Sequence, residues 1–255
     1  MKRILILLLP LLITFSHAQS GLKYSTVTID KGYTSPKNNA DTVVTFYLKY
    51  PKFEGSGTDS KIADKLNTMV TEITTDEESP VMNNFDSLVA SYKEFLNDIG
   101  DDDWGGGFYV NKQLEYSTPT EGIGNFTYSV ATYLGGAHGG FIIGYSNFSF
   151  PDLKPIHLDD VLVAGYSEKL TKLGEKIFRD LKGLTADFSL EGSYWFKDDK
   201  FHLNDNYIFT KTGISFLYNE YEIASYAEGI TEFEIPYSAI KDLIKKDGPL
   251  AKFAK

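Results

Sequence analysis

The stretch Tyr133-Leu134-Gly135-Gly136-Ala137-His138-Gly139-Gly140 places four glycines and an alanine around a single histidine. It lies between two apolar, aromatic-rich runs. Glycine recurs where a backbone must turn sharply or pass close to something, because it has no Cβ to clash. The flanking residues 125–133 and 141–150 read as strands, and 107–117 reads as a third strand before them. The turns are 118–124 and the glycine-rich loop itself. Connections this short leave no room for a crossover helix, so the simplest arrangement is an antiparallel meander.

The rest of the chain fits around such a sheet. Residues 23–30 alternate in a β manner, and 41–50 (DTVVTFYLKY) are β-branched and aromatic, so both read as strands. Thr58 or Asp59 is placed to cap a helix with apolar Ile62, Leu66, Met69, Val70 and Ile73 at three- and four-residue spacing. Ser79-Pro80 opens a second helix, with Gly100 past its end as a stop signal. Later, 158–163 reads as a helical turn, 167–181 as an amphipathic helix and 183–206 as irregular chain. A hairpin over 207–218, a strand over 231–235 and a closing helix over 237–245 complete the reading. The expected class is α+β, with helices on one side of an antiparallel sheet. The expected division is a leader over 1–18, a strand-helix subdomain over 19–100, and an α+β subdomain with the GGAHG loop over 101–255.

Lys2 and Arg3 precede the short apolar run 4–15, and Ser16-His17-Ala18 offers a small-x-small cleavage site. That run is well short of the ~20 residues that span a bilayer. It predicts a signal peptide cut after Ala18, with no membrane span left and a periplasmic or extracellular product. No cysteine stands at the cut, so the product is not expected to be a lipoprotein. Thirty-five acidic residues against 25 basic ones give a formal charge of −10. Losing Lys2 and Arg3 with the leader takes it to −12. Nucleic acid and anionic membrane surfaces need clustered Lys and Arg, so neither is expected as a partner. The absence of cysteine also excludes thiol catalysis and thiolate metal sites.

The GGAHG segment pairs with three later stretches: Gly213-Ile214-Ser215-Phe216-Leu217-Tyr218, then YEIASYAEG from Tyr221 to Gly229, then Phe233-Glu234-Ile235-Pro236-Tyr237. Together they resemble the extracellular domain family of the lysozyme-sensing anti-sigma-V factor (RsiV-like), also found beside the peptidoglycan deacetylase PdaC. The resemblance covers most of the chain beyond the leader. It implies a non-enzymatic sensory or accessory module of the cell envelope. The implied ligand is a basic protein such as a lysozyme-type muramidase, or a cell-wall glycan such as a peptidoglycan fragment.

Candidate chemistry is sparse. As a general base, His138 would need a nucleophile and an orienting carboxylate, and its neighbours are glycine, alanine and tyrosine. The structural alternative is a ring bonded to nearby backbone, locking a tight turn. A hydrolase would pair His138 with Glu222 or Asp159. Asp159 and Asp160, however, suit the start of a helix. Glu220 and Glu222 read as one solvated face of a strand around Tyr221. Beyond the leader, His138, His157 and His202 are widely spaced, so no metal site is expected. The acidic run Asp98, Asp101, Asp102 and Asp103 breaks the calcium-loop template at Gly105. No cofactor is expected. Tyr218, Tyr221, Tyr226 and Tyr237 gather in one short region, and about half of them should be core. The expected ligand-binding residues are His138, Tyr221, Glu222 and Tyr226, with the loop 224–229 as the contact surface.

Overall fold

The computed structural model describes residues 22–35, 41–75, 78–100, 104 and 106–255. The leader and acidic residues 101–103 lie outside the described residues. A five-stranded sheet runs in chain order: β1 (Lys23–Thr34), β2 (Thr42–Glu54), β3 (Phe108–Thr120), β4 (Ile123–Tyr133) and β5 (Gly140–Ser149). A three-stranded sheet follows, with β6 (Tyr207–Phe209), β7 (Gly213–Tyr218) and β8 (Thr231–Pro236). The chain forms two compact units that interleave along the sequence. One comprises residues up to Glu115 with Tyr128–Ile142, the other Tyr116–Thr127 with Ile143–Lys255. The class is α+β, as the sequence implies.

In the first unit, β1 and β2 pair antiparallel, while β2 and β3 pair parallel. The parallel pair is the one bridged by helices, which supply the long return that parallel strands require. They are α1 (Asp59–Thr74), α2 (Pro80–Asn83) and α3 (Phe85–Ile99). The core joins Val44 and Phe46 of β2 to Leu88, Val89 and Tyr92 of α3 and to Phe108 and Val110 of β3. The single helix expected after Ser79 is two. Asn84 adopts an extended conformation, and its carboxamide accepts from Asp86 N and Ser87 N, capping a new helix in mid-run. Thr58 precedes α1 but makes no side-chain cap. Lys112, only 1% exposed, donates to the carbonyls of Thr74 and Met82 and to Asn83 Oδ1, at 2.7, 2.9 and 2.9 Å. A buried ammonium needs such acceptors, and here they tie the helical segment to β3.

In the second unit, α4 (Leu158–Val161) precedes α5 (Tyr166–Lys182), which packs on β8. Phe178, Phe201, Phe209, Phe216, Phe233 and Ile235 lie in its core. The closing helix expected over 237–245 is instead two 3-10 turns. Its backbone groups are used elsewhere: Val163 N donates to Leu243 O and Lys245 N to Val161 O. Apolar spacing suited a helix there, but long-range pairing took the groups that a helix would have bonded internally.

Asparagine carboxamides close the edges of both sheets in this unit. Asn147 of β5 accepts from Phe209 N and donates to Tyr207 O, at 3.1 and 2.8 Å. In return Asn206 accepts from Tyr145 N and donates to Ile143 O, at 3.0 and 2.9 Å. Asn219 accepts from Ile143 N and donates to Ile143 O as well. A carboxamide sets an acceptor oxygen beside a donor nitrogen, as the edge of a peptide chain does. These side chains therefore do the pairing that a neighbouring strand would otherwise do, and they join the edge of β5 to that of β6.

Candidate binding surface

Two surfaces gather the residues that the sequence singles out, one in each unit. In the first unit the loop between β4 and β5 uses its glycines as the sequence implies. Gly135 has φ +88°, and a Cβ there would meet the Phe95 ring at 2.9 Å. A Cβ on Gly139 would lie 2.5 Å from Thr132 O, so the loop closes only with bare backbone at that point. Tyr133 Oη donates to Gly136 O at 2.8 Å. His138 Nδ1 donates to Gly139 O at 2.8 Å, which is the expected backbone bond, but the ring is exposed rather than buried. Around it Tyr109, Leu134, Phe141 and Ile142 are exposed.

The second surface centres on the loop after β7. Glu220 and Glu222 do not form a strand face, because β7 ends at Tyr218. The chain turns there, and Tyr221 takes φ +64°, a left-handed conformation costly for a residue with a large side chain. The turn is held by Glu222. Its carboxylate accepts from Asn219 N at 2.8 Å and from Asn204 Nδ2 at 2.7 Å. Asn219 in turn is the residue that clamps Ile143. Glu222 is thus a positioning group that fixes the loop to the edge of β5. Beyond it Tyr226 opens a 3-10 turn (Tyr226–Glu228) that Gly229 ends.

What this loop displays is aromatic. Tyr221 and Tyr226 are 52% and 37% exposed, with ring centroids 5.8 Å apart. Tyr218 and Tyr237 are buried, so the four tyrosines divide evenly between core and surface. A third aromatic escaped the sequence reading. Trp195 is 53% exposed, and its backbone N–H donates to Ile223 O at 2.9 Å, which seats its segment beside the tyrosine loop. Its neighbours Tyr194 and Phe196 are buried against Phe178. With both flanking rings turned into the core, Trp195 is left on the surface. Three consecutive aromatics in polar, irregular chain were the available signal.

The residues of this second surface lie in a segment with recognisable relatives. Residues 159–238 match the model of a family described as a protein of unknown function, DUF3298. The match takes in Trp195, Tyr221, Glu222 and Tyr226 and leaves out the GGAHG loop. Among solved structures, the chain is similar to a member of that family from Bacteroides fragilis, with a TM-score of 0.70 and 20% identity. That likeness covers 91% of this chain and 96% of the other. It is also similar to a DUF3298 family protein from Pseudomonas aeruginosa, with a TM-score of 0.58 and 19% identity over 86% of this chain and 94% of the other. At these identities the likeness establishes the fold. No curated protein matches the chain.

The carboxylates considered for hydrolysis are tied to local structure. Glu222 holds its own turn. Asp159 accepts from the Tyr166 hydroxyl, and burial together with that bond and the Asp159 charge pushes Tyr166 up to about 12. His138 belongs to the first unit, and both carboxylates belong to the second. No group of three or more His, Cys, Asp or Glu among the described residues is placed to hold a metal ion.

Proposed function

We propose that the chain is an exported, non-enzymatic binding module of the cell envelope, and that its loop face around Tyr221 and Tyr226 takes a basic, lysozyme-like protein. The single observation that carries this reading is the exposed tyrosine pair on a turn held in a strained conformation by Glu222. Backbone strain of that kind persists where the surroundings over-determine it, and such sites cluster at ligand-contacting positions. Tyrosine is a rigid, amphipathic anchor suited to protein interfaces. Charge supports the choice of partner: the chain after removal of the leader carries −12, which speeds encounter with a cationic protein. The leader supports a periplasmic or extracellular setting. No helix among the described residues is long and apolar enough to cross a membrane.

The test is binding kinetics of the exported, processed chain against a c-type lysozyme, with peptidoglycan fragments as the comparator. We expect saturable binding at micromolar concentrations or tighter, with an on-rate that falls as salt rises. Tyr226→Ala should raise the dissociation rate several-fold and leave the melting temperature unchanged. No saturable lysozyme binding, with binding of peptidoglycan fragments instead, would replace the protein partner by a glycan.

A further inference from the structure

We propose that Trp195 joins Tyr221 and Tyr226 in one aromatic platform, and that the platform takes the ammonium or guanidinium side chains of the partner. This rests on the cationic partner proposed above and names the chemistry by which it is held.

Three observations carry it. The bond from Trp195 N to Ile223 O fixes the tryptophan segment alongside the tyrosine loop, two positions from Tyr221 and three from Tyr226. All three rings are exposed beside buried residues: Tyr194 and Phe196 flank Trp195, and Ile223 and Ala224 lie between the two tyrosines. Chain that buries Tyr194, Phe196, Ile223 and Ala224 spends its apolar surface inward, so the aromatics left outside are not overflow from the core.

Charge decides between the two ligands that aromatic faces commonly take. Residues 212–240 contain five glutamates (Glu220, Glu222, Glu228, Glu232 and Glu234) and no lysine or arginine. Residues 183–196, which carry Trp195, add Asp187 and Glu191, again without a basic residue. Lys182 of α5 reaches Glu228 at 3.5 Å and the charge of Arg179 of α5 acts on Asp187, whereas Glu220, Glu222, Glu232 and Glu234 make no ion pair among the described residues. A neutral sugar stacks on an aromatic face without needing that field. A cation is drawn both to the ring quadrupole and to the carboxylates beside it. Trp195 is the strongest such ring, since indole binds cations better than phenol or benzene does.

The experiment follows tryptophan emission while the processed chain is titrated with a short oligo-arginine peptide and, separately, with an N-acetylglucosamine oligosaccharide. Trp195 is one of two tryptophans, and Trp104, the other, packs against Tyr92, Phe95 and Phe108 of the first unit. We expect a saturable change with the peptide, weakened by salt, and no saturable change with the oligosaccharide. In Trp195→Phe the emission change should disappear. In Trp195→Ala, calorimetry should show the peptide bound about fivefold more weakly, with an unaltered melting temperature. A saturable response to the oligosaccharide and none to the peptide would overturn the assignment, as would peptide affinity unchanged in Trp195→Ala. If lysozyme binds wild type and Trp195→Ala equally, the platform fails while the lysozyme reading stands. If peptide binding depends on Trp195 but lysozyme does not bind, the platform stands and the identity of the partner fails.

Discussion

His138 is the residue that the sequence advertises most, and the structure places it at an exposed position. Its Nδ1 bond to Gly139 O lies at an exposed site, where water can replace it. His138→Ala should therefore change stability by less than about 0.5 kcal/mol in urea denaturation. A loss of about 2 kcal/mol or more would show that the ring is a structural lock after all. The buried tyrosines matter more to the folded state. Burial pushes the hydroxyls of Tyr218 and Tyr237 well above the ordinary tyrosine value, and the charges of Glu222 and Glu234 push them further in the same direction. A folded-state pKa raised in this way means that the native protein holds protons that the unfolded chain has lost. The contribution is thus fully present below about pH 10 and drains away as pH rises from there toward the folded values, by up to about 1.4 kcal/mol per pH unit for each group. Denaturation midpoints should be flat across this side of neutrality and fall steeply above pH 10. Replacing either tyrosine by Phe should flatten that fall.

At the scale of elements, much of the fold is legible because period and punctuation agree. The strands from β1 to β8, the helix α5 and the stop at Gly100 all follow from apolar spacing, β-branched runs and glycine. What the sequence hides is where backbone groups find partners far away. Asn84 reads as one more polar residue in a helical run until its side chain is seen capping Asp86 and Ser87. Residues 237–245 have helical spacing, but their amides and carbonyls pair with Val161 and Val163. The candidate site was half legible for the same reason. Tyr221 and Tyr226 stood out by composition, whereas Trp195 sits in irregular chain and is placed by one long-range bond. The asparagine clamps were invisible from sequence and predict a clear cost. Asn147→Ala should leave Phe209 N and Tyr207 O buried without that partner, lowering stability by about 2–4 kcal/mol in equilibrium unfolding. A change below about 0.5 kcal/mol would mean that the edge of β6 is held by other means.

At the scale of the whole molecule, an acidic chain carries one polar-edged aromatic surface in its second unit. The family match over residues 159–238 coincides with that surface rather than with the conspicuous glycine loop. Under the proposed function, net charge would bring a basic partner close, the aromatic loop would retain it, and Glu222 with Asn219 would keep the loop in shape before the partner arrives. The measurement that bears on this most directly is hydrogen exchange of the processed chain with and without saturating c-type lysozyme. Binding at the aromatic surface should slow exchange at residues 219–229 and 193–196, with little change at 134–142. Protection confined to 134–142, with 219–229 exchanging as in the free chain, would contradict it.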